Sequence, residues 1–407
     1  MRSRAIRVLK GQLRAAPVFF AGLWLAASPV GAEPRVPERD DTVLETLPRL
    51  AGEDRERIRA LDRALDQNPR NLEAALALAV RYSELNAASG DPRYLGYAQA
   101  VLEPWWNIRE PPFAAWLLRA RIEQRLHRFK AAQADLEGLL RAHPDAIEAA
   151  LLLSTVAIVR GDYPTAQAAC RRVASRADAL IAAACAANLA PYLGEGSCGL
   201  ELVDRTLEMA GTPKNALGVW VLTLGAELAV GLGRSELAGD YYRRALSLSN
   251  ELGEPDLYLL GSYADYLIDE GRPREAARLL EPAPAADPLL IRLAIAQAAI
   301  DPSAAREIED VLERRMRALQ MRDAETHARE QAWFHLHVRR DPKAALRHAR
   351  LNWSVQREMR DARLLLEAAL AAGKPDAAAP VLDWMEAGNI DHAWLDVLAR
   401  RVRAETP

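Results

Sequence analysis

Residues 257–288 read LYLLGSYADYLIDEGRPREAARLLEPAPAADP, and the spacing within this stretch decides the fold. Leu260, Tyr263, Leu267 and Leu280 recur at the i, i+3, i+4 steps of helices that each bury one stripe. Gly271-Arg272-Pro273 breaks the run. Glycine ends a helix in the left-handed conformation, and proline fits the first turn of the next. Ala264 and Ala276 stand twelve residues apart across that break, and Pro288 follows Ala276 by another twelve. Antiparallel helices approach closely only where neither carries a bulky side chain at the crossing, so the stretch predicts helix, tight turn, helix.

The same grammar recurs along the chain. Ala120 and Ala132, Ser154 and Ala166, and Ala226 and Ala238 repeat the spacing of twelve, and Pro144 follows Ala132 as Pro288 follows Ala276. Gly161-Asp162-Tyr163, Gly233-Arg234-Ser235 and Gly373-Lys374-Pro375 repeat the turn, each glycine five residues before the small residue of the second helix. Trp116, Ala120, Ala132, Leu136 and Pro144 together resemble the tetratricopeptide repeat, as do Leu260, Tyr263, Ala264, Leu267, Gly271, Ala276, Leu280 and Pro288. The Ala132 to Ala166 interval is 34, the length of that repeat, while other intervals drift to 38 (Ala238 to Ala276) and 33 (Ala345 to Ala378).

The resemblance implies an all-α fold, a right-handed α-solenoid of antiparallel helix-turn-helix repeats. Units are expected at 72–112, 113–146, 147–180, 181–218, 219–256, 257–290, 291–325, 326–358 and 359–388, after a half-unit ending at Asn68-Pro69. The array thus occupies 53–388, with 389–407 as a capping helix whose Arg400, Arg401 and Arg403 face solvent. The even composition of the 407 residues, half apolar and only 6% aromatic, gives no linker and no sheet-forming run, and favours one elongated array.

The first residues read differently. Arg2, Arg4, Arg7, Lys10 and Arg14 precede an apolar run from Ala15 to Ala27, then Ser28-Pro29-Val30-Gly31-Ala32. This is the layout of a secretory signal, with cleavage expected after Ala32 and a retained anchor as the alternative. The run is about 13 residues, short of the roughly 20 a helix needs to cross a bilayer. No cysteine precedes Cys170, so a lipidated amino terminus is not expected. Residues 33–52, rich in proline and charge, read as a flexible lead-in. Loss of 1–32 removes five positive charges and no negative ones, taking the formal charge from −3 to −8. An acidic chain without a basic run is a poor nucleic-acid binder. The expected location is the periplasm of a bacterial cell envelope, with no integral membrane span after cleavage.

Three cysteines in an exported chain allow one disulfide and one remaining thiol. Cys170 and Cys185 have their midpoint near Ala177-Asp178, where one helix ends and the next begins, so antiparallel neighbours bring them level; three free buried thiols are the alternative. His327, His335, His337 and His348 fall close together, but His335 and His337 are two apart and point away from each other on a helix, so no metal site is expected. Trp116, Trp333, Trp353, Trp384 and Trp394 lie at helical spacing from other apolar residues and are expected in the core. Between prolines, one of Trp105 and Trp106 is expected to project outward. No nucleophile elbow, phosphate loop or metal-binding helix is present in the sequence, and neither catalysis nor a cofactor is expected.

In tetratricopeptide arrays the first helix of each pair lines a concave groove that holds a partner segment. Carried over slot by slot, the resemblance nominates Glu73, Arg121, Glu148, Thr155, Trp220, Glu227, Tyr258 and Asp265. These are mostly acidic and aromatic, which favours a protein partner whose segment offers Lys or Arg and an apolar anchor. The lysine and asparagine clamp for a terminal carboxylate is absent at these slots. The expected role is a non-catalytic scaffold or adaptor of the envelope. The alternatives are a carbohydrate or cell-wall-binding module using Trp105, Trp106 and Trp220, and an enzyme without a recognisable motif.

Overall fold

The helices that the alanine and glycine spacing predicts are continuous enough to be followed one by one in a computed structural model. It describes residues 52–253, 256–283, 286–320, 327–390 and 392–406. These all belong to one compact unit, Arg49–Pro407. The signal segment 1–32, and the lead-in up to residue 51, lie outside the described residues.

Helix α1 (Gly52–Gln67) stands alone before the pairs. Then come α2 (Leu72–Ser89) with α3 (Arg93–Val101) and the one-turn α4 (Glu103–Trp106), α5 (Phe113–Arg125) with α6 (Phe129–Ala142), and α7 (Ile147–Arg160) with α8 (Tyr163–Ala174). The middle of the array is α9 (Ala179–Leu189) with α10 (Gly196–Ala210), α11 (Ala216–Gly231) with α12 (Ser235–Leu252), and α13 (Leu257–Asp269) with α14 (Pro273–Leu280). It continues with α15 (Asp287–Ala298) and α16 (Pro302–Gln320), α17 (Ala328–Trp333) and α18 (Pro342–Val355), and α19 (Met359–Ala371) with α20 (Ala379–Ala387), before α21 (Ala393–Glu405). No strand occurs among the described residues. The fold is an all-α solenoid of antiparallel helix pairs.

Local chemistry explains the punctuation. Gly161, Gly233, Gly271 and Gly373 all take positive φ, between 61° and 75°, a region where a Cβ would clash with backbone. Asp162, Asn215, Asp256 and Asp341 cap α8, α11, α13 and α18 by accepting from free backbone N–H groups of the first turn. At α19 the Glu358 and Asp361 carboxylates form a reciprocal capping box. The paired small residues are buried at the crossings: Ala120, Ala132, Ala166, Ala226, Ala238, Ala264 and Ala276 are fully inaccessible, and Ser154 nearly so.

The first helices of successive pairs also touch one another, from α2 through α5, α7, α9, α11, α13, α15 and α17 to α19, and form the inner row. Each pair is rotated relative to the last, so the row curves. The curve returns on itself, which corrects the expectation of an elongated array with an open groove. The Arg357 N–H donates to the Val159 carbonyl at 2.7 Å, and Trp384 Nε1 donates to the Tyr163 hydroxyl at 2.6 Å. Met359 and Trp384 pack into a cluster with Ala157, Ile158, Leu189 and Tyr192. Gly90, at the end of α2, stands so near Ala286 that a Cβ there would lie 2.6 Å from the Ala286 Cβ. Helix α21 is likewise more than a terminal cap: it lies on α19 and also meets α11.

Cys170 on α8 and Cys185 on α9 are joined by a disulfide with Cα atoms 5.6 Å apart, and Cys198 is a free, exposed thiol. Trp116 and Trp353 are buried, but Trp394, expected in the core, is 36% exposed at the edge of the inner face. Neither Trp105 nor Trp106 projects outward as expected; both pack against the cluster of Ala75, Leu102 and Leu118, because Arg119 holds the Trp106 and Ile108 carbonyls and folds the connection down.

Candidate functional site

The inner row brings some of the nominated slots together and leaves others apart. Glu227 on α11 and Tyr258 and Asp265 on α13 converge: the Tyr258 hydroxyl donates to Glu227 at 2.8 and 3.0 Å, and Ser262 Oγ donates to the same carboxylate at 2.8 Å. Arg121 and Glu148, on α5 and α7, pair with each other on an exposed surface. Thr155 is half-buried and donates to the Leu151 carbonyl at 3.3 Å, Glu73 is exposed in the first turn of α2, and Trp220 packs partly buried against the main core.

What sequence reasoning missed is that α19 and α15 supply the cations for the first group. Arg360 lies 2.5 Å from Glu227 and 3.8 Å from Asp265, with its guanidinium 4.9 Å from the centre of the Tyr258 ring. Arg363 bonds both oxygens of Asp269 at 2.5 and 2.7 Å, reaches Glu367 at 2.7 Å, and stacks over Trp394 at 5.5 Å. Arg292 holds Asp265 from the other side through two bonds of 2.7 Å and covers Trp333. Arg329 clamps Asp361 at 2.7 Å and also meets Glu358. Arg360, Arg363 and Glu367 lie at i, i+3 and i+7 on one helix, the spacing by which they could have been assigned to the inner face.

Of these groups, Arg329, Arg360 and Arg363 with Glu227, Asp265, Asp269 and Glu358 line a cavity of about 160 Å³ between α9, α11, α13, α17 and α19. Leu224, Leu228 and Met359 supply apolar wall; Tyr192, Tyr258 and Trp394 supply aromatic wall. Tyr258 lines this cavity and is 52% exposed. Burial pushes the Tyr258 and Tyr192 phenols well above their ordinary values, and the Glu227 and Glu358 carboxylates add to it. Against the pull of burial, hydrogen bonds from His337 and Arg363 hold Glu367 down at about 2. Arg360 and Arg363 stay charged: burial opposes it, but the facing carboxylates raise both above the ordinary arginine value. The arrangement is one of charge recognition. Among the described residues no group of three His, Cys, Asp or Glu side chains could hold a metal ion.

No family model matches the chain, and no curated protein sequence matches it. Among solved structures, it is similar to the Cut9–Hcn1 hetero-tetramer of the APC/C (14% identity, TM-score 0.49, covering 82% of this chain and 63% of that one). It is also similar to a Rap protein complexed with competence and sporulation factor (13%, TM-score 0.47, covering 82% and 100%). A third likeness is to a tetratricopeptide repeat protein from Parabacteroides merdae (13%, TM-score 0.37, covering 78% and 99%). Such partial overlaps at low identity carry no functional inference, and the solenoid stands on this chain's own helices.

Proposed function

We propose that this protein is a non-catalytic adaptor, exported to the bacterial cell envelope, that holds a basic segment of a protein partner on the amino-terminal part of its concave face. One observation carries the reading. In the carboxy-terminal half the inner slots Glu227, Tyr258 and Asp265 are filled by an arginine of the chain itself, whereas Glu73 and Glu148 present exposed carboxylates from equivalent helices. The filled slots display the chemistry that such a face recognises: a guanidinium against a carboxylate, with an aromatic face beneath it. The Arg121–Glu148 pair is 45% and 58% exposed on its two side chains and therefore contributes little on its own, so a partner cation can replace Arg121 at small cost. Export is supported by the amino-terminal pattern of the sequence and by the Cys170–Cys185 disulfide.

Affinity capture from envelope extract tests it, with wild-type protein beside a Glu73→Lys, Glu148→Lys variant and bound proteins identified by mass spectrometry. A partner held by wild type and lost by the folded variant is the expected outcome; the same partner held equally by both would overturn the acidic-face reading.

A further inference from the structure

A second pocket, of about 590 Å³, lies between α5, α6 and the connection 107–110 that leads from α4 into α5, and it shares no residue with the nominated inner-face slots. Its most buried charges cancel. Arg119, only 7% exposed, bonds both oxygens of Asp135 at 2.6 Å, Trp116 Nε1 donates to the same carboxylate at 3.0 Å, and Arg119 also holds the connection through the Ile108 carbonyl at 2.9 Å. Glycine is unfavourable inside a helix, yet Gly138 stands in the middle of α6. A Cβ there would lie 2.7 Å from Trp116 Cζ2 and 3.5 Å from a guanidinium nitrogen of Arg141, so the glycine makes room for the indole and lets Arg141 lie along α6 over it.

The remaining charges of this pocket do not cancel. Arg109, from the connection, and Arg141, from α6, both line it and are both exposed, and neither has a partner among the described residues. Asp135 is taken by Arg119, so among the lining acids Glu110 alone stands against two guanidiniums. The excess is local: the chain as a whole carries −3, and the three arginines of the cavity under α19 all face carboxylates. A guanidinium is a planar fork that matches the oxygens of a carboxylate or a phosphate. Ile108, 44% exposed, lines the same space with Ala134 and Ala142 and gives it apolar surface. The volume is that of a small-molecule site, roughly 300–1,000 Å³. We propose that this pocket binds a small organic anion, a carboxylate or phosphate on a short apolar body. Arg109 and Arg141 donate to its oxygens from the connection and from α6, and the apolar body lies along Ile108, Ala134 and Ala142.

Calorimetric titration of the purified protein with phenyl phosphate, with benzoate, and with benzyl alcohol as the neutral counterpart tests the proposal. Binding of phenyl phosphate alone identifies a phosphate ester, binding of benzoate alone identifies a carboxylate, and binding of both identifies the oxyanion they share. In each case Arg109→Gln and Arg141→Gln remove a guanidinium that has no other partner among the described residues, and each weakens binding about tenfold. Glu110→Gln removes the opposing carboxylate and tightens binding about threefold. All three side chains are exposed, so the variants keep the wild-type fold, which circular dichroism checks. No heat from either anion, benzyl alcohol binding as tightly as the anions, wild-type affinity in either arginine variant, or weaker binding in Glu110→Gln would each overturn the inference.

Discussion

Glu123 and His348 are single residues whose environments oppose their charge, and they make opposite predictions. Glu123 is buried with Oε2 unpartnered among the described residues, and burial beside Asp135 raises its carboxyl to about 7. A carboxyl raised on folding costs stability once it ionises, so the cost is absent below the unfolded value near 4.5 and complete above about 7. Glu123→Gln removes it: urea unfolding should show the variant more stable than wild type by up to about 3 kcal/mol at pH 8, with no gain at pH 4. A gain that does not change with pH would contradict this. His348 stacks in parallel on His335 at 5.4 Å, and burial, then His335 and Arg347, lower it to about 4. A histidine lowered on folding keeps its full stability above the unfolded value near 6.5, and loses it as pH falls towards 4. His348→Gln therefore flattens the stability profile between those pH values, measured by the same unfolding experiment.

Residue-level legibility followed sequence distance. Glu227, Tyr258 and Asp265 could be placed on the inner face because the resemblance to the tetratricopeptide repeat assigns them groove slots. Their partner Arg360 lies 133 residues from Glu227, and Arg363 lies 94 from Asp269, separations at which no local pattern signals contact.

At the scale of the element, the alanine crossings and the disulfide carry the argument. Ala264 is fully inaccessible where α13 meets α14, and Ala264→Leu forces extra methylenes into a packed crossing at a cost of about 1–3 kcal/mol, read as a lowered thermal midpoint. A midpoint unchanged by that substitution would mean the helices do not cross closely there. Cys170 and Cys185 close a 15-residue separation between α8 and α9, so replacing both by alanine costs about 3 kcal/mol by the loop-closure argument. Chemical denaturation of the variant beside oxidised wild type measures it.

Helix boundaries were legible because glycine, proline and capping side chains act within one turn of where they stand. Two elements were not. Residues Phe334–Val338 widen into a π-helical turn after α17, for which the sequence offered no marker. One of Trp105 and Trp106 is expected outward from its place between prolines in sequence, but Arg119, thirteen residues after Trp106, draws the Trp106 carbonyl inward.

For the molecule, the closure of the arc distinguishes this solenoid from an open groove. The resemblance implied curvature, but how far the curve runs depends on small rotations summed over many pairs, which no single repeat records. Arg360 and Arg363 hold α19 against α11 and α13 through half-buried ion pairs. Replacing both by alanine leaves Glu227 and Asp269 without these cations, a destabilising change at half-buried sites. Small-angle scattering should then report a larger radius of gyration than wild type; an unchanged radius would show that apolar packing around Met359 and Trp384 suffices to keep the arc closed.

The inner row holds slots filled by the chain's own arginine and slots left exposed, which makes the location of a bound partner the most direct test. Hydrogen–deuterium exchange of the protein with and without its captured partner should show new protection on α2, α5 and α7, where Glu73, Arg121 and Glu148 stand, with α11, α13 and α19 unchanged. Protection confined to the outer helices α3, α6 and α8 would contradict the account.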